Sequence, residues 1–267
     1  MKRGGVSKKP ADEVQAGGIQ TVGTVADIFN GFIGSEPQPM LKSLAERTGM
    51  HPAKVHRYLV SFARMGYVRQ DPATARYRLG PSAIRLGRAA LAAVPVVGHA
   101  RPVLRELVER FDRTAFLALW TRAGPRVVLQ EREAAPLAIA AHVGSLFPIL
   151  TSSTGRTFAA WLPPEEAASR LEIELAAQAA WPVPGCPRNA AEASECFAAI
   201  RERRLDRATG QLGVGIHGLS APVFDRQNQI CAVITMLGHA DSIDVGWDSA
   251  FAVGLSEAAA AITSSMG

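Results

Sequence analysis

The stretch from Lys54 to Arg78 gathers the side chains best able to do chemistry. Lys54, His56, Arg57 and Tyr58 stand close together, Arg64, Arg69, Arg76 and Arg78 follow, and Lys42 precedes them. Ammonium and guanidinium groups donate to phosphate oxygens and to the acceptor edge of guanine, so this set predicts contacts to double-stranded DNA. For His56 a DNA contact and a plain helix-surface role are both open at this point. Enzyme chemistry is not in view: no G-x-S-x-G elbow or H-E-x-x-H motif occurs, and the histidines are scattered. Glu131 and Glu133 flank Arg132 and read as a solvated strand edge rather than an acid/base pair. Cys186, Cys196 and Cys231 form no C-x-x-C pair, which predicts free thiols in a reducing compartment. We therefore expect no catalytic residue, no metal and no cofactor. Gly213-Val-Gly-Ile-His-Gly218 matches G-x-G-x-x-G, but the segment before it, DRATGQ, is polar, and LSAPVF after it reads as a strand. A dinucleotide site needs a strand before and a helix after, so the match is a decoy.

Positioning the cations requires an ordered set of elements. Leu41, Leu44 and Ala45 mark one apolar helix face, which ends at Thr48-Gly49. Val55, Tyr58, Leu59, Phe62 and Met65 recur at helical spacing, and Gly66 ends that second helix. Strands at Tyr67–Gln70 and Arg76–Leu79 flank the turn Asp71-Pro-Ala-Thr74. Two short helices, a tight turn and a small hairpin predict a winged helix-turn-helix whose second helix enters the major groove. Ile19 to Ile33, with Val22, Val25, Ile28, Phe29 and Phe32 on one face, supplies a third helix beneath them.

Charge divides the chain in the same place. Residues 1–88 hold 14 Lys+Arg against 6 Asp+Glu, a balance of +8, and residues 89–267 hold 15 against 18, a balance of −3. A basic front and a slightly acidic back suggest a nucleic-acid module joined to something else. With 267 residues, 48% of them hydrophobic, two globular domains are the natural expectation. No apolar run approaches the ~18 residues of a membrane span, and the first residues lack an apolar signal core, so we expect a cytoplasmic protein with no membrane partner.

The back half changes texture. Helices are expected at Ser82 to about Val94, Val97–Phe111, Gly155–Leu162, Glu165–Ala177, Ala190–Arg204 and Trp247–Met266. Strands are expected at Thr114–Thr121, Arg126–Arg132, Leu137–His142, Leu219–Phe224 and Ile230–Leu237. Pro95 separates the first two helices, and the prolines from Trp181 to Pro187 exclude regular structure there. The result is an α+β fold in four parts: a basic tail (1–18), a winged helix-turn-helix domain (19–80), a linker helix (81–94) and a sensor-like α/β domain (95–267).

Val55 to Leu91 (VHRYLVSFARMGYVRQDPATARYRLGPSAIRLGRAAL), Thr151-Ser-Ser-Thr-Gly-Arg156 and Gly215-Ile-His-Gly-Leu-Ser-Ala-Pro-Val223 together resemble the isocitrate-lyase-regulator (IclR) family of bacterial transcription factors. The resemblance runs from about Gly18 to the C-terminus. It implies a homodimer or dimer of dimers that binds an operator, and a GAF-like effector domain that takes a small organic ligand. Three departures matter. In the first helix Thr24 stands where the family often has Arg. At the start of the recognition helix Ala53-Lys54 stands where the family usually has Ser-Thr, which implies a different operator. The family's carboxylate pocket falls at Ala208, Gly218, Thr235 and Leu237, where the family commonly has an acidic residue, a Cys and two Ser. Losing those groups, with Gly218 freeing volume, implies a larger and more apolar ligand, an aromatic acid or acyl derivative. Ser152, Ser153, Thr154 and the N–H groups at the Gly155 helix start remain to hold its anionic end. The competing expectation is a metabolite-binding or enzymatic protein whose basic N-terminal domain makes protein contacts.

Overall fold

A computed structural model describes residues 19–33, 36, 38–132 and 141–267. The expected basic tail, Glu133 and most of the strand expected at Leu137–His142 lie outside the described residues. Backbone contacts divide the chain into two compact units between Leu86 and Gly87.

The first unit is built from α1 (Gln20–Asn30), α2 (Leu41–Thr48), α3 (Pro52–Arg64) and the antiparallel pair β1 (Val68–Gln70) and β2 (Tyr77–Leu79). Its core is Ile28, Phe32, Leu44, Ala45, Val55, Leu59, Phe62, Val68 and Tyr77. Val22, expected inside, is 62% exposed, because α1 turns only its C-terminal half onto the other helices. The tight turn has two local causes. Gly49 adopts φ +66, which glycine reaches at no steric cost, and Pro52 opens α3 behind His51, whose Nδ1 accepts the Ala53 N–H at 3.3 Å. The hairpin closes backbone to backbone, since a Cβ on Gly80 would stand 2.3 Å from the Gly66 carbonyl oxygen.

A helix, α4 (Pro81–Ala92), buries none of its residues and ends at Ala92 rather than near Val94, because Pro95 already opens α5 (Pro95–Phe111). The second unit then runs β3 (Thr114–Thr121), β4 (Gly124–Glu131), α6 (Ser153–Trp161), α7 (Pro164–Ala180), α8 (Ala190–Arg203), β5 (Asp206–Thr209), β6 (Ile216–Phe224), β7 (Ile230–His239) and α9 (Ala250–Ser265). All strand pairs are antiparallel in the order β4-β3-β7-β6-β5. Side chains alternate across the sheet. Ala115, Leu117, Leu219, Ala221, Ile234 and Met236 face α5 and α9, whereas Phe116, Ala118, Val233 and Leu237 pack with Phe158 of α6. Pro222 fits within β6 because β5 stops pairing at Asp206↔Ser220, leaving no ladder on that side for it to supply.

The segment DRATGQ, whose polarity counts against the dinucleotide motif, contains the edge strand β5. Only Asp206 and Ala208 of its four residues point inward, too short an alternation to stand out. The G-x-G-x-x-G match thus has a strand before it but runs into strand β6, not a helix, and the rejection stands on that second condition.

Candidate nucleic-acid interface and effector site

Helix α3 buries Val55, Leu59 and Phe62 and thereby turns Lys54, His56, Arg57 and Arg64 to solvent. Tyr58 sits at the border, half-buried, its ring 6.2 Å from that of Phe62. With Lys54, Arg57 and Ser61 it lines a concavity of about 380 Å³. Lys42 is exposed, 3.9 Å from Glu46 one helical turn on, a loose surface pair. Arg69 and Arg78 are exposed and stand opposite one another in the hairpin register. Like charges paired across strands destabilise a hairpin, and a phosphate between them would reverse that sign.

Arg76 departs from expectation. Its guanidinium is tied to Glu36 at 2.7 Å and to the Gln38 carbonyl at 2.8 Å, while the other Glu36 oxygen takes Arg47 at 2.8 Å. Arg76 is a clamp between the hairpin and the segment before α2, not a free cation for DNA. Sequence spacing could not reveal this, because its partner lies 40 residues away.

In the second unit the four pocket positions meet on one face of the sheet. Ala208 pairs with Gly218, Gly218 with Leu237, and Leu237 with Thr114, a single row across β5, β6, β7 and β3. Two residues along, Asp206, Ser220, Thr235 and Phe116 make the parallel row on the same face. The volume expected at Gly218 is already filled: a Cβ there would lie 2.5 Å from a δ-methyl of Leu237. Leu237 belongs to an apolar cluster with Phe116, Phe147, Phe158 and Ile216.

Beside that cluster lies a buried knot of hydroxyls. Thr235 bonds Thr154 and Ser220, each at 2.8 Å, and Ser220 donates to Ser153 at 2.8 Å. Ser220 was not among the expected residues, though its place two positions after Gly218 on one strand puts it on the same face. One turn further along α6, the Thr157 hydroxyl is fully buried and has no hydrogen-bond partner among the described residues. Ser152 plays a different part from the one expected. It caps α6, taking the Gly155 N–H at 2.9 Å and donating to the Pro148 carbonyl at 2.6 Å, so that N–H group is already occupied. Gly155 lets the helix start pass against the 148–149 backbone, where a Cβ would be 2.1 Å from the Pro148 oxygen.

The frame that holds this helix start was not legible from the sequence. Arg156 is buried and donates to Asp206 at 2.8 Å, to the Leu150 carbonyl at 2.7 Å and to the Arg207 carbonyl at 2.8 Å. Burial pushes the Asp206 carboxyl up, and the Arg156 guanidinium opposes the shift. From α7, the Glu174 carboxylate accepts the Ile149 and Leu150 N–H groups, each at 2.9 Å. His217 is half-buried in β6, and no group of metal-ligating residues occurs among the described residues. No helix among them is long and apolar enough to cross a membrane.

The IclR helix-turn-helix domain matches residues 26–72, and the C-terminal domain of the bacterial transcriptional regulator IclR matches residues 88–264. HTH-type transcriptional regulator BhcR of Paracoccus denitrificans is 36% identical over 104 residues, which span 39% of this chain and only 37% of that protein. XynR of Escherichia coli is 22% identical across 93% of this chain and 98% of its own. Among solved structures, Pseudomonas aeruginosa HmgR is 35% identical, covers 93% of this chain and 98% of its own, and superposes with a TM-score of 0.59. An IclR homologue from Microbacterium hydrocarbonoxydans, solved with 4-hydroxybenzoate, shares the fold at 16% identity over 92% of this chain and 99% of its own, with a TM-score of 0.77. The chain belongs to the IclR family of bacterial transcriptional regulators.

Proposed function

We propose that this regulator binds a palindromic operator as a dimer or dimer of dimers through Lys54, Arg57, Arg69 and Arg78, with Lys42, His56 and Tyr58 beside them. An apolar acid in the GAF-like domain, 95–267, controls that binding. The exposed linker helix within 81–94 is the face offered to a second copy, since it buries nothing in the single chain.

The effector reading rests on one observation: Leu237 fills the space left by Gly218 and joins an apolar cluster, while the neighbouring hydroxyls bond to each other. A carboxylate entering beside Thr235 exchanges one set of hydrogen bonds for another, with a net gain of only about 1 kcal/mol per bond. Affinity must then come from apolar burial, at roughly 25 cal/mol per Å². That favours an aromatic acid or acyl derivative over a two- or three-carbon acid, and the Microbacterium fold neighbour holds a ligand of the aromatic kind. The unpaired Thr157 hydroxyl is the group best suited to meet its polar end.

Calorimetric titration with aromatic and short-chain acids tests this reading. Aromatic acids should bind more tightly to the wild type, and Leu237→Ser should shift preference toward short polar acids by about tenfold. Unchanged ligand rankings in the variant would remove Leu237 from the site.

A further inference from the structure

The molecule carries a second cationic site, far in sequence from the recognition helix. The end of α8 and the start of β5 read Arg201-Glu-Arg-Arg-Leu-Asp-Arg207. Two of these arginines share one aromatic ring: the guanidinium carbons of Arg203 and Arg207 lie 4.5 Å and 4.2 Å from the centre of Trp247. They are therefore no more than about 9 Å apart, each anchored by the ring's negative face. Arg204 rests on Phe224 and Trp161, at 5.4 Å and 5.9 Å. Arg203 and Arg204 are exposed and Arg207 is half-buried.

No carboxylate among the described residues comes within 4.0 Å of these three guanidinium groups. Asp206 is engaged with Arg156, and Glu202 and Asp248, though adjacent in sequence to Arg203 and Trp247, form no ion pair with them. Arg207 gives one nitrogen to the Val245 carbonyl at 3.2 Å, which fixes the guanidinium without neutralising it. Stacked, unpaired cations held this close repel one another, and a multivalent anion bridging their free edges removes that cost. The planar guanidinium fork matches phosphoryl oxygens in bidentate contacts, and a phosphoryl group about 4 Å from each carbon bridges the two where their carbons lie within about 8 Å of one another.

We propose that Arg203 and Arg207, preorganised on Trp247, form a phosphoryl-binding site in the second unit, with Arg204 beside it. The phosphoryl group belongs either to a small phosphorylated molecule or to a nucleic-acid backbone.

The full chain is titrated with inorganic pyrophosphate and, separately, with a short non-operator duplex, against chloride at matched ionic strength. Lys54→Ala/Arg57→Ala removes the recognition-helix cations and should leave saturable pyrophosphate binding in place. Arg203→Ala/Arg207→Ala should weaken it by about tenfold or more. Arg203→Ala alone alters only an exposed side chain, so it keeps the comparison valid if the double variant misfolds. A loss confined to pyrophosphate identifies the small-molecule source, and a loss confined to the duplex identifies the nucleic-acid source. Equal affinity for both probes in wild type and Arg203→Ala, or a response that chloride reproduces without saturation, overturns the proposal.

Discussion

Asp206→Ala should unfold the second unit far more readily than its size suggests. The side chains of Arg156 and Asp206 are 3% and 8% exposed, and Asp206 supplies the only carboxylate among the three acceptors that Arg156 reaches. Removing it leaves a buried guanidinium facing two neutral carbonyls, a change that costs about 3–5 kcal/mol. With a urea dependence of about 2 kcal/mol per molar, the unfolding midpoint should fall by roughly 1.5–2.5 M. Trp120, Trp161, Trp181 and Trp247 all lie beyond Gly87, so tryptophan emission reports on this unit alone. Asp206→Asn keeps an acceptor and should lose less. Replacing both partners by apolar residues, Arg156→Met with Asp206→Leu, should recover much of the loss, because no uncompensated charge remains. An Asp206→Ala midpoint within about 0.5 M of the wild type would refute the claim that this pair carries the helix start.

Other outcomes follow from the same geometry. Lys54→Ala should weaken operator binding and lower the salt slope by about one for each phosphate left without its cation, whereas Arg76→Ala should chiefly lower the thermal stability of the first unit. Filter-binding titrations at several salt concentrations, paired with calorimetry, separate the two. Gly155→Ala should destabilise the second unit by about 3 kcal/mol, since the new methyl meets backbone atoms that cannot move aside, and chemical unfolding checks it. Burial raises the Cys231 thiol to about 11. Because only the thiolate reacts, alkylation at pH 8 should run at about a thousandth of its limiting rate and keep climbing past pH 10, as followed by peptide mass spectrometry. A plateau near pH 9 would contradict the burial.

Local pattern carried the first unit well. Apolar spacing in α2 and α3, the glycines at 49 and 66 and the strand–turn–strand run are short-range signals; the two strands fell within a residue of their expected bounds, while α1 stops at Asn30 rather than Ile33 and α3 starts at Pro52, ahead of Val55. The sensor sheet was legible wherever a strand was long and apolar, as in β3, and hidden where it was short and polar, as in β5. The family resemblance singled out Ala208, Gly218 and Leu237, which the sheet register sets in one row, yet which atoms fill the space there depends on side-chain packing across strands. Arg76 and Arg156 show the same limit in charge: both read as ordinary cations, and only partners 40 and 50 residues away make them structural.

Glu36 holds two arginines at once, Arg47 on α2 and Arg76 on the hairpin. That arrangement couples two properties usually adjusted separately. A neutral residue at this position would loosen the hairpin and, in the same step, hand two unopposed guanidiniums to the phosphate-facing unit. Grip on arbitrary DNA would rise as the fold weakened. One carboxylate would therefore restrain indiscriminate binding, and selection for tighter DNA affinity at this site would meet a stability penalty built into the same side chain.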